Sequence, residues 1–142
     1  MRISDKALAY GLLRIAVGVN FLGHGLFRIL SGVGSFAGTT AEHMTKSPLP
    51  HGFVVGFALV IPWIELLLGV GLILGLFTRL ALGCGAVFLM ALTVGVTSNQ
   101  QWEVAGQQLV YSVILSGLLF LLEFNGLSVD GWRSGRRLRG EE

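Results

Sequence analysis

The stretch FLGHGLFRI, residues 21–29, closes an apolar segment that begins near residue 7 and continues to residue 30. Three further apolar segments follow at about 53–76, 80–97 and 104–124. Each is close to the ~20 residues that an α-helix needs to cross ~30 Å of hydrocarbon. The sequence therefore predicts an all-α integral membrane protein, a four-helix bundle that forms a single domain over residues 1–142.

The overall composition agrees with a membrane protein. Hydrophobic residues make up 53% of the 142 residues, charged residues make up only 13%, and the mean hydropathy is +0.74. Soluble domains carry roughly 25% charged residues. The single cysteine, Cys84, excludes an intrachain disulfide, a CxxC redox pair and a thiolate metal cluster.

The positions of the basic residues predict the orientation of the bundle. With the N-terminus inside, the inner side receives seven basic residues: Arg2, Lys6, Arg79, Arg133, Arg136, Arg137 and Arg139. The other side receives only Lys46. Because basic residues favour the cytoplasmic side, both termini are predicted to be cytoplasmic. The loop 31–52 is then extracytoplasmic and residues 125–142 form a basic cytoplasmic tail. These charges are explained by topology, so no nucleic-acid partner is implied.

Polar residues form a stripe on the first span. At 100° per residue, Asn20, His24 and Arg28 advance by about 40° per step, and Arg14 lies about another 40° beyond Arg28. Because an ionisable group in hydrocarbon costs ~2.5–3.5 kcal/mol, this stripe is expected to face the bundle interior. The second span contributes Glu65. Its depth is within roughly 6 Å of that of Arg14 when the two helices are antiparallel, which predicts a structural Arg14–Glu65 ion pair.

The fourth span adds further polar side chains at a similar depth to His24. Gln107 and Tyr111 share one of its faces. Donors from more than one helix that converge at one depth indicate a pocket. Simpler interpretations remain open: Arg28 extends to the membrane interface, His24 bonds a neighbouring helix, and Cys84 is a packing residue.

Several motifs resemble the DoxX family of four-helix membrane proteins. They are LRxxxGxxFxxHGxxR at residues 13–28, PWIExxxG at 62–69, LGLFTR at 74–79 and GLSVD at 126–130. The family more often has lysine at the position of Arg28. Its relatives include the small subunit of a thiosulfate:quinone oxidoreductase. The resemblance implies a plasma (inner) membrane protein that interacts with quinone, with a link to sulfur-compound oxidation.

The residues of the predicted pocket suit a quinone head group. Such a group needs an apolar slot, donors to its two carbonyls and a proton carrier. We expect His24, Arg28, Gln107 and Tyr111 to bind it, and Glu65 and His24 to act as catalytic proton carriers. No haem, flavin or metal is predicted, because neither a flavin fingerprint nor a CxxCH motif is present.

Other function classes remain open from the sequence. One alternative is a non-enzymatic membrane anchor or maturation subunit for a partner protein, and another is a small proton-coupled transporter that uses Glu65. A protein partner that supplies electrons or the rest of a site is expected in the redox interpretation, and the chain could also form a homo-oligomer. The sequence assigns no role to His43 or His51.

Overall fold

The computed structural model describes the backbone of residues 4–139 and the side chains of residues 4–134. Over this part of the chain, helices α1 to α6 lie at Asp5–Leu30, Val33–His43, His51–Leu74, Thr78–Ser98, Trp102–Phe120 and Val129–Arg139, with a 3-10 turn at Leu122–Phe124. Helices α1, α3, α4 and α5 are long and apolar enough to span a membrane. The predicted all-α fold with four spanning helices is therefore confirmed.

Two helices lie in segments that were predicted to be a loop and a tail. Helix α2 occupies the middle of the loop 31–52 and begins after Gly32, whose φ of 98° suits a residue without a Cβ. It buries Ala37 and Ala41 and packs against α3. Helix α6 lies in the predicted basic tail 125–142. Each is too short to span a membrane.

Glycines bring the backbones of α1 and α3 into direct contact. A Cβ built on Gly25 would lie 2.6 Å from the Leu66 nitrogen, and one on Gly69 would lie 2.7 Å from the Leu22 Cα. A Cβ on Gly18 would lie 2.9 Å from the nitrogen of Ile73. Small residues permit such close approach between membrane helices, where dispersion contacts rather than the hydrophobic effect drive association. These contacts make α1 and α3 the most closely packed pair of the bundle.

Helices α4 and α5 form a second pair, which joins the first through a shared apolar core. Leu115 and Leu118 of α5 are fully buried against α4 residues such as Leu89, and Phe21 of α1 and Leu68 of α3 belong to the same cluster. Contacts between α1 and α5 are sparse. The bundle is thus two helix pairs with an incompletely filled seam between them.

The segment before α6 and its first turn hold the start of α4. The carboxylate of Asp130 accepts hydrogen bonds from the backbone N–H of Phe77 (3.1 Å), from the backbone N–H of Thr78 (2.6 Å) and from the Thr78 hydroxyl (2.8 Å). Asn125 donates to the same hydroxyl at 2.9 Å. Partial burial acts to raise the pKa of Asp130, but the bonds from Thr78 and Phe77 and the charge of Arg133 hold it below its ordinary value. The carboxylate is therefore ionised at neutral pH and caps the N-terminus of α4.

The contact between α1 and α3 predicts opposite effects for two neighbouring glycines. Gly69→Ala places a methyl group against the backbone of Leu22, which we expect to lower the free energy of unfolding by about 1–3 kcal/mol or more. At Gly71 the nearest atoms to a new Cβ are 3.6 and 3.7 Å away, an ordinary contact distance. Gly71→Ala should therefore raise stability by up to about 1 kcal/mol through helix propensity. Thermal unfolding in detergent, followed by circular dichroism, compares the two variants. Equal melting temperatures would contradict the close α1–α3 contact.

Candidate functional site

A cavity of about 160 Å³ lies between the spanning helices. The structure brings all five residues of the predicted pocket to its wall: His24, Arg28, Glu65, Gln107 and Tyr111. Two more polar residues line it, Asn20 of α1 and Gln108 of α5. His24 and Gln107 are exposed and lie at the opening, whereas Glu65 is buried. Their convergence is a structural result, while their binding and catalytic roles stay predictions.

The buried carboxylate of the cavity is paired with Arg28. The Arg28 Nη1 donates to Glu65 Oε1 in the single ion pair among the side chains of residues 4–134. The Glu65 side chain is only 6% exposed and that of Arg28 is 27% exposed. On its other side the Arg28 guanidinium lies 4.6 Å from the centroid of the Phe36 ring, a favourable cation–π distance. Arg28 thus faces inward rather than extending to the membrane interface.

The predicted Arg14–Glu65 ion pair is wrong, because the two side chains lie at different depths. Arg14 lies beside Leu72 and Ile73, and Leu72 is seven residues, or about 10 Å, from Glu65 along α3. Side-chain direction adds to this separation, since side chains lean toward the N-terminus of their own helix. In antiparallel helices Arg14 and Glu65 lean apart. Arg28 and Glu65 lean together, which selects Arg28 as the partner.

Arg14 binds the C-terminal end of α3 instead. Its side chain is fully buried and donates to the carbonyl oxygens of Leu72, of Ile73 (3.2 Å) and of Leu127 (2.7 Å). The last carbonyls of a helix lack partners within the helix and carry the negative end of its dipole. Arg14 therefore acts as a structural cation that joins α1, α3 and the segment before α6. The sequence did not predict this role, because every residue has a backbone carbonyl and residue types do not show which carbonyls lack a partner.

Two buried acceptor atoms at the cavity have no hydrogen-bond partner among the described residues. They are Glu65 Oε2 and Gln108 Oε1. A buried polar atom without a partner costs about 1–3 kcal/mol, so such atoms are uncommon and indicate a missing donor. Both residues line the cavity. The cavity is therefore suited to a molecule that donates hydrogen bonds to both walls.

Comparison with known protein families finds one match, to the DoxX family model over residues 9–98. That match covers more than half of the chain. The chain belongs to the DoxX family. No curated protein and no solved structure gives a significant match.

The DoxX motifs on the first two spans are the two sides of the α1–α3 interface. Gly18 lies beside Gly69, Gly25 lies beside Pro62, and Arg28 pairs with Glu65. The closing motif GLSVD, which follows the matched region, contains Asp130 and the carbonyl of Leu127 that binds Arg14. Most of the DoxX pattern is thus accounted for by packing and hydrogen bonding.

The remaining candidate residues lie away from the cavity. His51 is exposed at the start of α3, and His43 offers its backbone oxygen to the Asn99 side chain at 3.0 Å. Cys84 is exposed on α4. Within residues 4–134 no three histidine, cysteine or acidic side chains come together as a metal-binding group. The structure of this DoxX protein adds no role for His43, His51 or Cys84 at the cavity.

Double-mutant cycles distinguish the observed ion pair from the rejected one. Arg28→Gln leaves a buried carboxylate without its countercharge and should lower the free energy of unfolding by up to about 3–5 kcal/mol. In the Arg28→Gln background, Glu65→Gln should lower the free energy of unfolding by less than it does in the wild type, because the effects of mutating two paired residues are not additive.

The matched cycle combines Arg14→Gln with Glu65→Gln. These side chains have no contact or shared partner, so their effects should add within about 0.5 kcal/mol. Unfolding in detergent measures both cycles. Coupling in the Arg14 cycle and additivity in the Arg28 cycle would contradict the assignment of the pair.

Proposed function

We propose that this DoxX protein is a quinone-binding subunit of a membrane redox system. The proposal rests on one cavity in which a partly buried ion pair, two unpartnered acceptor oxygens and a tyrosine meet between membrane-spanning helices. Ionisable residues inside a membrane are costly and mark functional sites by default. The family relationship supports a membrane protein of this kind, and the quinone is our inference from the chemistry of the cavity.

The dimensions of the cavity support a small ring as the bound group. Its volume of about 160 Å³ is below the roughly 300–1,000 Å³ of sites that enclose a drug-sized ligand. A single-ring head group is compatible with this volume if its apolar tail remains in the lipid. Glu65 Oε2 and Gln108 Oε1 would accept hydrogen bonds from the two hydroxyls of the reduced form. The Tyr111 hydroxyl would donate to a carbonyl of the oxidised form.

The same residues provide a route for protons. When bound, the quinone would supply reversible two-electron, two-proton chemistry. As electrons reach the ring, Glu65 would donate a proton to the ring oxygen that lies beside its Oε2, and Arg28 would stabilise the carboxylate that remains. His24 lies at the opening of the cavity and would return a proton to Glu65. Glu65 and His24 are thus the proposed catalytic residues.

The electrons would come from a protein partner. The chain has one cysteine, so it cannot form a dithiol pair of its own. A partner that oxidises a sulfur compound would fit the chemistry of the relatives that the sequence resembles. In this proposal the DoxX chain provides the membrane-embedded quinone site and the partner provides the redox centre.

We further propose that both termini are cytoplasmic and that the membrane is the plasma membrane. Lys6 lies 5.3 Å from the Phe124 ring, and Arg14 binds the carbonyl of Leu127, so both ends of the chain lie at one end of the bundle. Lys6, Arg79 and Arg133 lie at that end, and Lys46 lies at the other. Arg2 and the side chains of Arg136, Arg137 and Arg139 lie outside the described residues.

This orientation predicts that a C-terminal tag reacts with an impermeant reagent only after cells are permeabilised. A cysteine introduced at Lys46 should react in intact cells, because that residue is exposed at the opposite end of the bundle. Cys84→Ala serves as the background for this measurement, so that only the introduced thiol is labelled. Reaction of the tag in intact cells would contradict the proposed topology and indicate the opposite orientation.

The quinone site predicts binding of ring analogues to the purified protein. A hydroquinone analogue should bind more tightly than its oxidised form, because only its hydroxyls can donate hydrogen bonds to Glu65 Oε2 and Gln108 Oε1. Gln108→Ala and His24→Ala should weaken binding by about 5- to 150-fold, the equivalent of one hydrogen bond of about 1–3 kcal/mol.

The matched control is Gln101→Ala. Gln101 is an exposed glutamine that precedes α5 and does not line the cavity. Calorimetric titration compares the four proteins. Wild-type protein that binds neither form of the ring would refute the quinone site and favour an anchoring or maturation subunit. An equal loss of affinity in all three variants would refute the placement of the ring.

A further inference from the structure

A separate groove of about 1210 Å³ runs along α4 and shares no lining residue with the cavity. Its wall is mainly apolar and includes Ile64, Val87 and Ala91. At one end it is lined by Arg79 of α4 and Arg133 of α6, both of which are exposed. The groove thus combines a long apolar surface with a basic end.

The length of the groove matches one leaflet of a bilayer. From Arg79 to Ala91 the helix rises by about 18 Å. Half of the ~30 Å hydrocarbon core is about 15 Å. The basic end therefore lies at the membrane face where the chain ends lie, and the apolar wall reaches toward the middle of the membrane. A molecule that fills this groove has a charged head and an apolar body one leaflet long.

The charges at the basic end favour an anion. Asp130 also lies there, but its carboxylate already accepts three hydrogen bonds from Phe77 and Thr78. These bonds also fix α6 against the start of α4, which holds Arg133 over the groove. Arg79 and Arg133 form no ion pair within residues 4–134. Together with Asp130 they leave a net positive charge at this end of the groove, which favours an anion.

We propose that this groove binds an anionic phospholipid, with its phosphate between Arg79 and Arg133 and its acyl chains along the apolar wall of α4. Basic residues just beyond a spanning helix commonly bind acidic lipids. A second copy of the chain fits this surface poorly, because a two-fold axis along the membrane normal would bring four arginines to the same level against only two Asp130 carboxylates, which already cap α4. The proposal does not depend on the quinone site.

Native mass spectrometry of the detergent-purified protein tests the proposal. Phosphatidylglycerol and phosphatidylcholine with identical acyl chains are titrated separately, and we expect at least tenfold tighter binding of phosphatidylglycerol. Replacing Arg79 and Arg133 together by glutamine should weaken phosphatidylglycerol binding about 30-fold, since each basic residue near an anionic lipid contributes roughly fivefold. Lys46→Gln removes one charge at the other membrane face and should have no effect.

Filling the groove provides a test that leaves its charges intact. A Cβ on Gly83 would meet no atom within 4 Å, so the side chain of Gly83→Phe can enter the groove without a clash at its Cβ. This variant should lose most of the phosphatidylglycerol binding. Gly117→Phe is the matched control, because Gly117 is equally open but lies on α5 outside the groove. Equal binding of the two lipids, unchanged binding by Gly83→Phe, or a two-chain species that Gly83→Phe dissociates would overturn the proposal.

Discussion

The backbone contact between α1 and α3 fixes the relative depth of the ionisable groups in the bundle. Gly25 and Gly69 allow the backbones of the two helices to touch, and a Cβ at either position would clash with the partner helix. In that register Arg28 reaches Glu65, and Arg14 reaches the end of α3. A shift of one helical turn, about 5.4 Å, would separate both sets of partners. Packing and charge compensation therefore select the same arrangement.

The two arginines of α1 are compensated by different means. Arg28 uses a carboxylate, which leaves one Glu65 oxygen free toward the cavity. Arg14 uses three backbone carbonyls at or near a helix end, and no carboxylate within residues 4–134 forms an ion pair with it. A guanidinium bound to carbonyls cannot pass on a proton, whereas a carboxylate with a free oxygen can accept one. This difference assigns a structural role to Arg14 and leaves Glu65 available for chemistry.

The sequence predicted those parts of the structure that the hydrophobic pattern along each helix determines. Hydropathy located the four spans, and angular positions placed His24 and Arg28 on one polar stripe of the first span. The register between helices is not encoded in either pattern, so the partner of Arg14 was predicted wrongly. The spacing of small residues did not predict the helix contacts either. Gly52 and Gly56 are four residues apart, a spacing typical of close helix packing, yet a Cβ on either would meet nothing within 4 Å. Gln108 was not selected because its role depends on an oxygen without a partner, which only the structure reveals.

Contacts across the seam between α1 and α5 are sparse, although hydrogen bonds join neighbouring elements at both ends of the bundle. At one end Asp130 joins α6 to α4, and at the other the Asn99 side chain binds the backbone of His43 and Lys46. His24 and Gln107 remain exposed along the seam, within spanning helices. Polar side chains in contact with lipid are costly, so in a membrane such a seam requires a polar cover. A ring that satisfies the inner acceptors, a partner subunit over the opening, or both would provide it. The proposed quinone site and the expected partner would then meet the same physical requirement.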